Sequence, residues 1–286
     1  MYDIIVIGAG PAGISASIYA KRAGANVINL YYGPSELLKT EKIENYYGFT
    51  DGISGKDLYN NGISQAKNLG IDVKEKEVID IKINDDLSFI VKTSDETYNT
   101  KSIIIATGNK KLRPNIEGIE EYEGRGVSYC AICDGFFYRN KNVAVMGNGT
   151  FALNEANDLA DIVDTVKIFT NGEEIENPDL NKYEIDTRKI SRIGGENKVQ
   201  FIEFEDGNKV ELDGIFIAQG IAGGTSFAKK LGIILKGNDI EVNENMQTNI
   251  DGIFACGNLT GGLLQVNKAA YEGAKAGLEA VKFIKK

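Results

Sequence analysis

The sequence contains no histidine, only three cysteines and three methionines, and four prolines in 286 residues. Without histidine there is no Ser-His-Asp triad, no Cys-His pair and no imidazole metal ligand. Three cysteines cannot form a Cys₄ zinc site. Acid–base work is left to carboxylates, thiols, tyrosines, lysines or a cofactor. An enzyme so poor in catalytic side chains takes its chemistry from a cofactor. Positive charge is also short: 32 Lys and Arg face 41 Asp and Glu, a net charge of −9. That balance argues against nucleic acid as the main partner. No apolar run reaches the ~20 residues of a membrane span. Residues 4–20 imitate a signal peptide, but Asp3 precedes them, Gly8, Gly10, Pro11 and Gly13 interrupt them, and Lys21 and Arg22 follow. An odd number of cysteines, two of them three apart, fits redox or metal use in a cytoplasmic protein better than a secreted disulfide framework.

What is present is ordinary globular material: 42% hydrophobic and 26% charged residues. The length suggests two domains, at roughly 100–200 residues each. Glycine is abundant, at 33 residues, which points to tight βα turns and close backbone approaches. Residues 3–7 read as a buried strand, Gly8-Ala-Gly-Pro-Ala-Gly13 as a turn, 14–22 as a helix and 26–30 as a second strand, a complete βαβ unit. Further along, 55–69 reads as a helix, and 76–83 with 87–93 as antiparallel strands. A buried strand at 102–106 stops at Thr107-Gly108. A second βαβ start follows: strand 142–146, turn Gly147-Asn-Gly149, helix 151–160. Residues 198–204 and 208–212 form a hairpin over Asp206-Gly207. Strands at 214–218 and 253–255 follow, and 262–284 closes the chain as a helix. The fold class is α/β.

Two motifs carry chemistry. In Gly8-x-Gly10-x-x-Gly13 the first glycine permits the tight turn, the second lets backbone approach a pyrophosphate, and the third lets helix and strand pack closely. The helix N-terminus then receives the anion. The acidic residue expected at the end of the second strand is absent; Tyr31 and Tyr32 stand there. In Cys130-Ala-Ile-Cys133-Asp134-Gly135, two thiols at a helix start can close a disulfide, the helix dipole favours thiolate, and Asp134 can shuttle a proton. Half a zinc site or two buried cysteines are the alternatives. Cys256, between Ala255 and Gly257, reads as a small buried filler.

The stretch from Gly124 to Asn140, GRGVSYCAICDGFFYRN, closely resembles the active-site segment of low-molecular-weight flavoprotein thioredoxin reductases. The resemblance extends through the first glycine turn, Glu44-Asn45, Ala106-Thr-Gly108, the second glycine turn and Gly252-Ile-Phe-Ala-Cys-Gly257. It implies two Rossmann-like, three-layer ββα nucleotide-binding-type domains, the second inserted into the first. An FAD domain is formed by 1–112 and 221–286, and the domain with the redox-active pair by 113–220. It implies a cytoplasmic, homodimeric oxidoreductase. Gly8, Gly10, Ala12 and Gly13 hold the FAD pyrophosphate. Asn45, Thr107 and Gly108 lie along the flavin, and Gly257, Asn258, Gln265 and Val266 meet the ribityl chain and isoalloxazine. Cys133 faces the flavin and Cys130 attacks thioredoxin.

The departures bear on the electron donor. Asn258 replaces the family's Asp, and Pro34-Ser35-Glu36 its Gly-Gly-Gln. Where the family has a basic His-Arg-Arg cluster for the NADPH 2′-phosphate, this sequence reads Phe169-Thr-Asn-Gly-Glu173-Glu174-Ile-Glu176, so a phosphate meets like charge. Asn148 and Phe151 add bulk at the second turn, while Asn154 and Glu155 read as solvated helix positions. This pattern resembles the ferredoxin-dependent flavin thioredoxin reductases, with Lys39, Lys42, Lys110, Lys111 and Arg113 as a patch for acidic ferredoxin. The alternatives are an NAD(P)H-dependent thioredoxin reductase, a dithiol oxidase that uses O₂, and a flavoprotein redox sensor.

Overall fold

The computed structural model describes residues 2–108, 114–219, 223–237 and 239–286, and the backbone alone for Cys133. The chain divides into two compact units, 1–110 with 223–286, and 111–222.

The first unit begins with β1 (Tyr2–Ile7), α1 (Pro11–Arg22), β2 (Val27–Tyr31), α2 (Gly55–Asn68), β3 (Asp72–Glu75), β4 (Val78–Ile83), β5 (Phe89–Thr93) and β6 (Thr97–Ile105). Strand β1 pairs in parallel with β2 and β6, and β2 with β3. The antiparallel β4 and β5 extend the sheet beyond β6. Ile4 to Ile7 are buried in succession, as expected for a parallel strand covered on both faces. Helix α1 starts with Pro11 at its first position, which needs no N–H there. Lys21 and Arg22 complement the dipole at its other end.

The second unit contains β7 (Val127–Ser128), α3 (Ala131–Asp134), β8 (Asn142–Met146), α4 (Thr150–Ala160), β9 (Thr165–Phe169), β10 (Glu184–Asp186), β11 (Ile190–Gly194), β12 (Phe201–Phe204), β13 (Lys209–Glu211) and β14 (Gly214–Ile217). Five strands form a parallel sheet in the order β10-β9-β8-β14-β7, and β11, β12 and β13 form a separate antiparallel sheet. Its core includes Met146, Phe169, Ile202, Phe204 and Ile215.

The chain then returns to the first unit with α5 (Gly224–Leu231), the hairpin strands β15 (Leu235–Lys236) and β16 (Asp239–Ile240), β17 (Ile253–Ala255) and α6 (Val266–Ile284). Strand β17 joins the first sheet in parallel beside β6. Helix α6 lies tightly on α1: a Cβ on Gly273 or Gly277 would meet the Ala12 or Ala16 carbonyl oxygen at 2.0 or 2.4 Å. This brings the start of α6 beside the first glycine turn. The helix begins four residues later than the sequence pattern suggests, because Gly262 has φ +71, outside the right-handed helical region. Among the described residues no helix is long and apolar enough to cross a membrane. Both units are Rossmann-like α/β structures.

Candidate active site

In the first unit the glycine turn sits between the carboxyl end of β1 and α1. Gly8 has φ +113, and a Cβ there would meet the Ala106 carbonyl oxygen at 2.3 Å. A Cβ on Gly13 would stand 1.8 Å from the Gly8 carbonyl oxygen. By contrast, a Cβ on Gly10 would meet nothing within 4 Å. No side chain caps the amino end of α1, so its first N–H groups are available to an anion. From below, Asn29 Nδ2 donates to the Gly8 carbonyl at 3.0 Å and to Ser17 Oγ at 3.0 Å. Asn29 is fully buried and had no part in the sequence reading.

Several other expected residues come together around this turn. A Cβ on Gly257 would lie 2.8 Å from Ala12 Cβ. Thr107 Oγ1 accepts the Gly224 N–H at 2.9 Å. Asn45 Nδ2 donates to Gln265 Oε1 at 3.0 Å, tying the 43–54 loop to the start of α6. Val266 is the first residue of that helix, while Gly108 follows Thr107 beyond β6, and Asn258 lies on the single 3₁₀ turn after β17. Two residues missed in the sequence hold this turn. Glu272 Oε2 accepts the Gly257 N–H at 2.9 Å and the Thr260 hydroxyl at 2.8 Å. Lys268 Nζ lies 3.0 Å from Glu272 Oε2 and donates to the Gly257 carbonyl. Their i, i+4 spacing was the available signal. Cys256 is free and fully buried. Burial, and then the Glu272 carboxylate, push its thiol well above the usual range, against a smaller opposing effect of Lys268. The open Gly10, the uncapped helix and the close Ala12–Gly257 approach fit a dinucleotide such as FAD.

In the second unit Cys130 is disulfide-bonded. Its N–H donates to Ser128 Oγ at 3.2 Å, and Ser128 Oγ donates to Asp134 Oδ2 at 2.6 Å. The Cys133 side chain lies outside the described residues. In this disulfide-bonded form Cys130 is 1% exposed, so it meets a protein disulfide only once uncovered. The helix behind it is one turn of four residues that continues as 3₁₀, which gives little of the dipole expected from sequence. Ile132, Phe136 and Phe137 beside the turn are exposed by 54%, 65% and 70%, an apolar patch of the kind that marks a protein contact.

The second glycine turn differs from the first. A Cβ on Gly147 would meet the Ala218 carbonyl oxygen at 2.2 Å. Asn148 Nδ2 donates to the Glu174 carbonyl at 2.8 Å, and the Glu176 N–H donates to the Asn148 carbonyl at 2.9 Å. Glu176 Oε2 stands 3.2 Å from where a Gly149 Cβ would be. The chain's own segment therefore lies against the turn. Phe151 is 1% exposed, so the bulk expected from it is directed inward and the obstruction comes from 174–176. Glu155, expected on the solvated face, is fully buried. Of the proposed basic patch, Lys39 pairs with Glu36 at 2.8 Å and Lys42 with Glu44 at 2.7 Å. Lys110, Lys111 and Arg113 lie outside the described residues. Among the described residues no cluster of three or more acidic or cysteine side chains is placed to hold a metal ion.

Residues 2–273 match the family model for pyridine nucleotide-disulphide oxidoreductases. The thioredoxin reductase of Listeria innocua is 34% identical, covering 99% of this chain and 94% of that protein. Among solved structures, the atypical thioredoxin reductase TRi from Desulfovibrio vulgaris Hildenborough is 37% identical, with a TM-score of 0.94 over 100% of this chain and 98% of that one. A ferredoxin-flavin thioredoxin reductase from Clostridium acetobutylicum is 33% identical, with a TM-score of 0.73 over 98% and 97%.

Proposed function

This chain belongs to the pyridine nucleotide-disulphide oxidoreductases and, within them, to the low-molecular-weight thioredoxin reductases, and on that premise we propose that it reduces thioredoxin through a Cys130–Cys133 pair with electrons from reduced ferredoxin. It is a flavin-dependent disulfide reductase, and its cofactor is FAD. FAD, when bound, supplies the redox couple between an external donor and the cysteine pair. Gly8, Gly10, Ala12 and Gly13 hold its pyrophosphate in this reading, while Asn45, Thr107, Gly108, Gly257, Asn258, Gln265 and Val266 line the flavin side. The first and last parts of the chain form the FAD domain and the inserted part carries the cysteines.

On the protein side the exchange is a thiol–disulfide relay. The Cys130 thiolate attacks one sulfur of the thioredoxin disulfide, and the other sulfur leaves as a thiolate and takes a proton. Cys133 then attacks the Cys130 sulfur, which releases dithiol thioredoxin and re-forms the Cys130–Cys133 disulfide, two electrons having passed. In this reading Asp134, whose carboxylate accepts the Ser128 hydroxyl, takes the Cys130 proton before the attack and gives it to the departing thioredoxin thiolate. The exposed Ile132, Phe136 and Phe137 offer thioredoxin a contact surface. The family resemblance is the ground for expecting a homodimer.

The observation that carries the choice of donor is the second glycine turn, covered by its own 174–176 segment. By the family resemblance, Glu173, Glu174 and Glu176 fall where the phosphate of a pyridine nucleotide would need cations. Each charge-assisted contact to a phosphate contributes ~1.5–3 kcal/mol, so losing two or three costs several decades of affinity. The Clostridium acetobutylicum neighbour, a ferredoxin-flavin enzyme, supports the same reading. The test is anaerobic flavin absorbance with each donor in turn. Reduced ferredoxin should bleach the flavin and support thioredoxin reduction, and NADPH and NADH should do so very slowly. Fast bleaching by micromolar NADPH with no response to ferredoxin would overturn the choice. Cys130→Ser should keep FAD and lose thioredoxin turnover; wild-type turnover in that variant would reject the relay.

A further inference from the structure

Among the described residues of the second unit, Glu155 is the carboxylate that is fully buried. It lies on α4 among Ala152, Ala156 and Leu159, each of them 0% exposed. The same face of α4 supports the redox turn: a Cβ on Gly135 would meet Leu159 Cδ2 at 3.1 Å. Packing alone would favour an apolar residue here, because burying a carboxylate is costly unless it is well bonded. Its Oε2 accepts the Ala131 N–H at 2.6 Å, a charge-assisted bond to the residue that follows Cys130.

That N–H is the first of the redox turn, and the carboxylate occupies it. Left unoccupied, a backbone donor beside a cysteine would help to stabilise its thiolate. We propose that Glu155 is a positioning residue for the redox turn, and that its negative charge keeps the Cys130 thiol protonated in the reduced enzyme. The inference rests on the reading of Cys130 and Cys133 as the redox pair. The carboxylate fixes the Ala131 amide in place and sets a like charge against any thiolate beside it, so the reduced pair persists as a dithiol. A thiolate then forms only when a proton is taken, the role given to Asp134 in the relay. Among the described residues the other ionisable groups around the turn are Tyr129, beside Cys130 in sequence, Asp134 itself, Tyr138 and, one turn along α4, Asp158. Burial, with Asp134 and Asp213, pushes the Tyr138 hydroxyl up. None of them changes in the variants below.

The experiment follows iodoacetamide alkylation of Cys130 in the reduced holoenzyme across pH, read by peptide mass spectrometry. Glu155→Gln keeps an acceptor for the Ala131 N–H and removes the charge. Its alkylation midpoint should fall by about one pH unit, within the range for loss of a close like charge. Its disulfide should also become easier to reduce. Glu155→Asp, which keeps the charge, should titrate near wild type. An unchanged midpoint in Glu155→Gln overturns the proposal. The wild-type profile is a check that needs no variant. A midpoint at or above the ordinary cysteine value of ~8.5 supports the proposal, and one at or below ~7, usual for such pairs, overturns it. The relay reading fails separately, if wild type exchanges no disulfide with thioredoxin, since the alkylation profile is measured in either case.

Discussion

At the first glycine turn a Cβ on Gly10 would enter open space, while at the second a Cβ on Gly149 would meet Glu176 Oε2 at 3.2 Å. The strand-end glycines of the two turns do not differ in this way. Gly8 and Gly147 both lack room for a Cβ, which would stand 2.3 and 2.2 Å from a backbone carbonyl of the neighbouring strand connection. A glycine turn thus has two separable parts. The first glycine is required by the crossing of backbone over backbone, whatever the site binds. The second is free to serve a ligand, and it is there that the two turns part company. In one unit the helix start is left open; in the other Asn148, Glu174 and Glu176 cover it.

The largest effects should separate these parts. Gly8→Val and Gly147→Val each force a Cβ into backbone and should each cost ~3 kcal/mol or more, the range of severe core overpacking. Thermal unfolding followed by circular dichroism measures this. Flavin absorbance then distinguishes the units: Gly8→Val should purify colourless, and the folded fraction of Gly147→Val should stay yellow. Equal loss of colour in both would mean that the second turn matters to FAD as much as the first.

The surroundings of the two turns also differ. Near the first, the Lys268–Glu272 pair is largely buried, with side-chain exposures of 16% and 11%. Lys268→Met leaves the Glu272 carboxylate without its cation and should cost about 2–4 kcal/mol in chemical denaturation. Asn148→Ala at the second turn removes one amide bond to the Glu174 carbonyl and should cost only ~1 kcal/mol. If Asn148→Ala proved the more damaging, the covering segment would be part of the unit's core and not merely a cover over the second turn.

The strands and the two glycine turns were legible because their signals are local. Ile-Ile-Val-Ile before Gly8 and Val-Ala-Val-Met before Gly147 each state a buried strand and its end within a few residues. The short strands β3, β10 and β11 and the helix α5 carry no such pattern, and tertiary pairing defines them. Glu155 was misread because a Glu between Asn154 and Ala156 looks solvated until the redox turn is folded over it. Asn29, Lys268 and Glu272 were missed for the same reason, since each acts on a backbone group distant in sequence. The start of α6 was placed too early because Gly262 reads as a small helical residue, and only its φ of +71 excludes it.

The smallest expected effect is the sharpest test of the comparison. Gly10→Ala and Gly149→Ala both replace an uncapped helix N-cap glycine, and at that position alanine is worse than glycine by roughly 0.5–1 kcal/mol. Neither substitution meets backbone: the Gly10 Cβ has nothing within 4 Å, and the Gly149 Cβ meets only the end of the exposed Glu176 side chain, which can swing away. Their melting temperatures should therefore fall by similar small amounts. Flavin affinity should not follow suit. The Gly10 methyl enters the space through which the α1 amides reach an anion, so FAD should dissociate several-fold more readily, as measured by ultrafiltration or flavin fluorescence. The Gly149 methyl enters a space the chain already fills, and FAD should dissociate at the wild-type rate. A Gly149→Ala variant that lost flavin as readily as Gly10→Ala would show that the second turn still shapes the cofactor site.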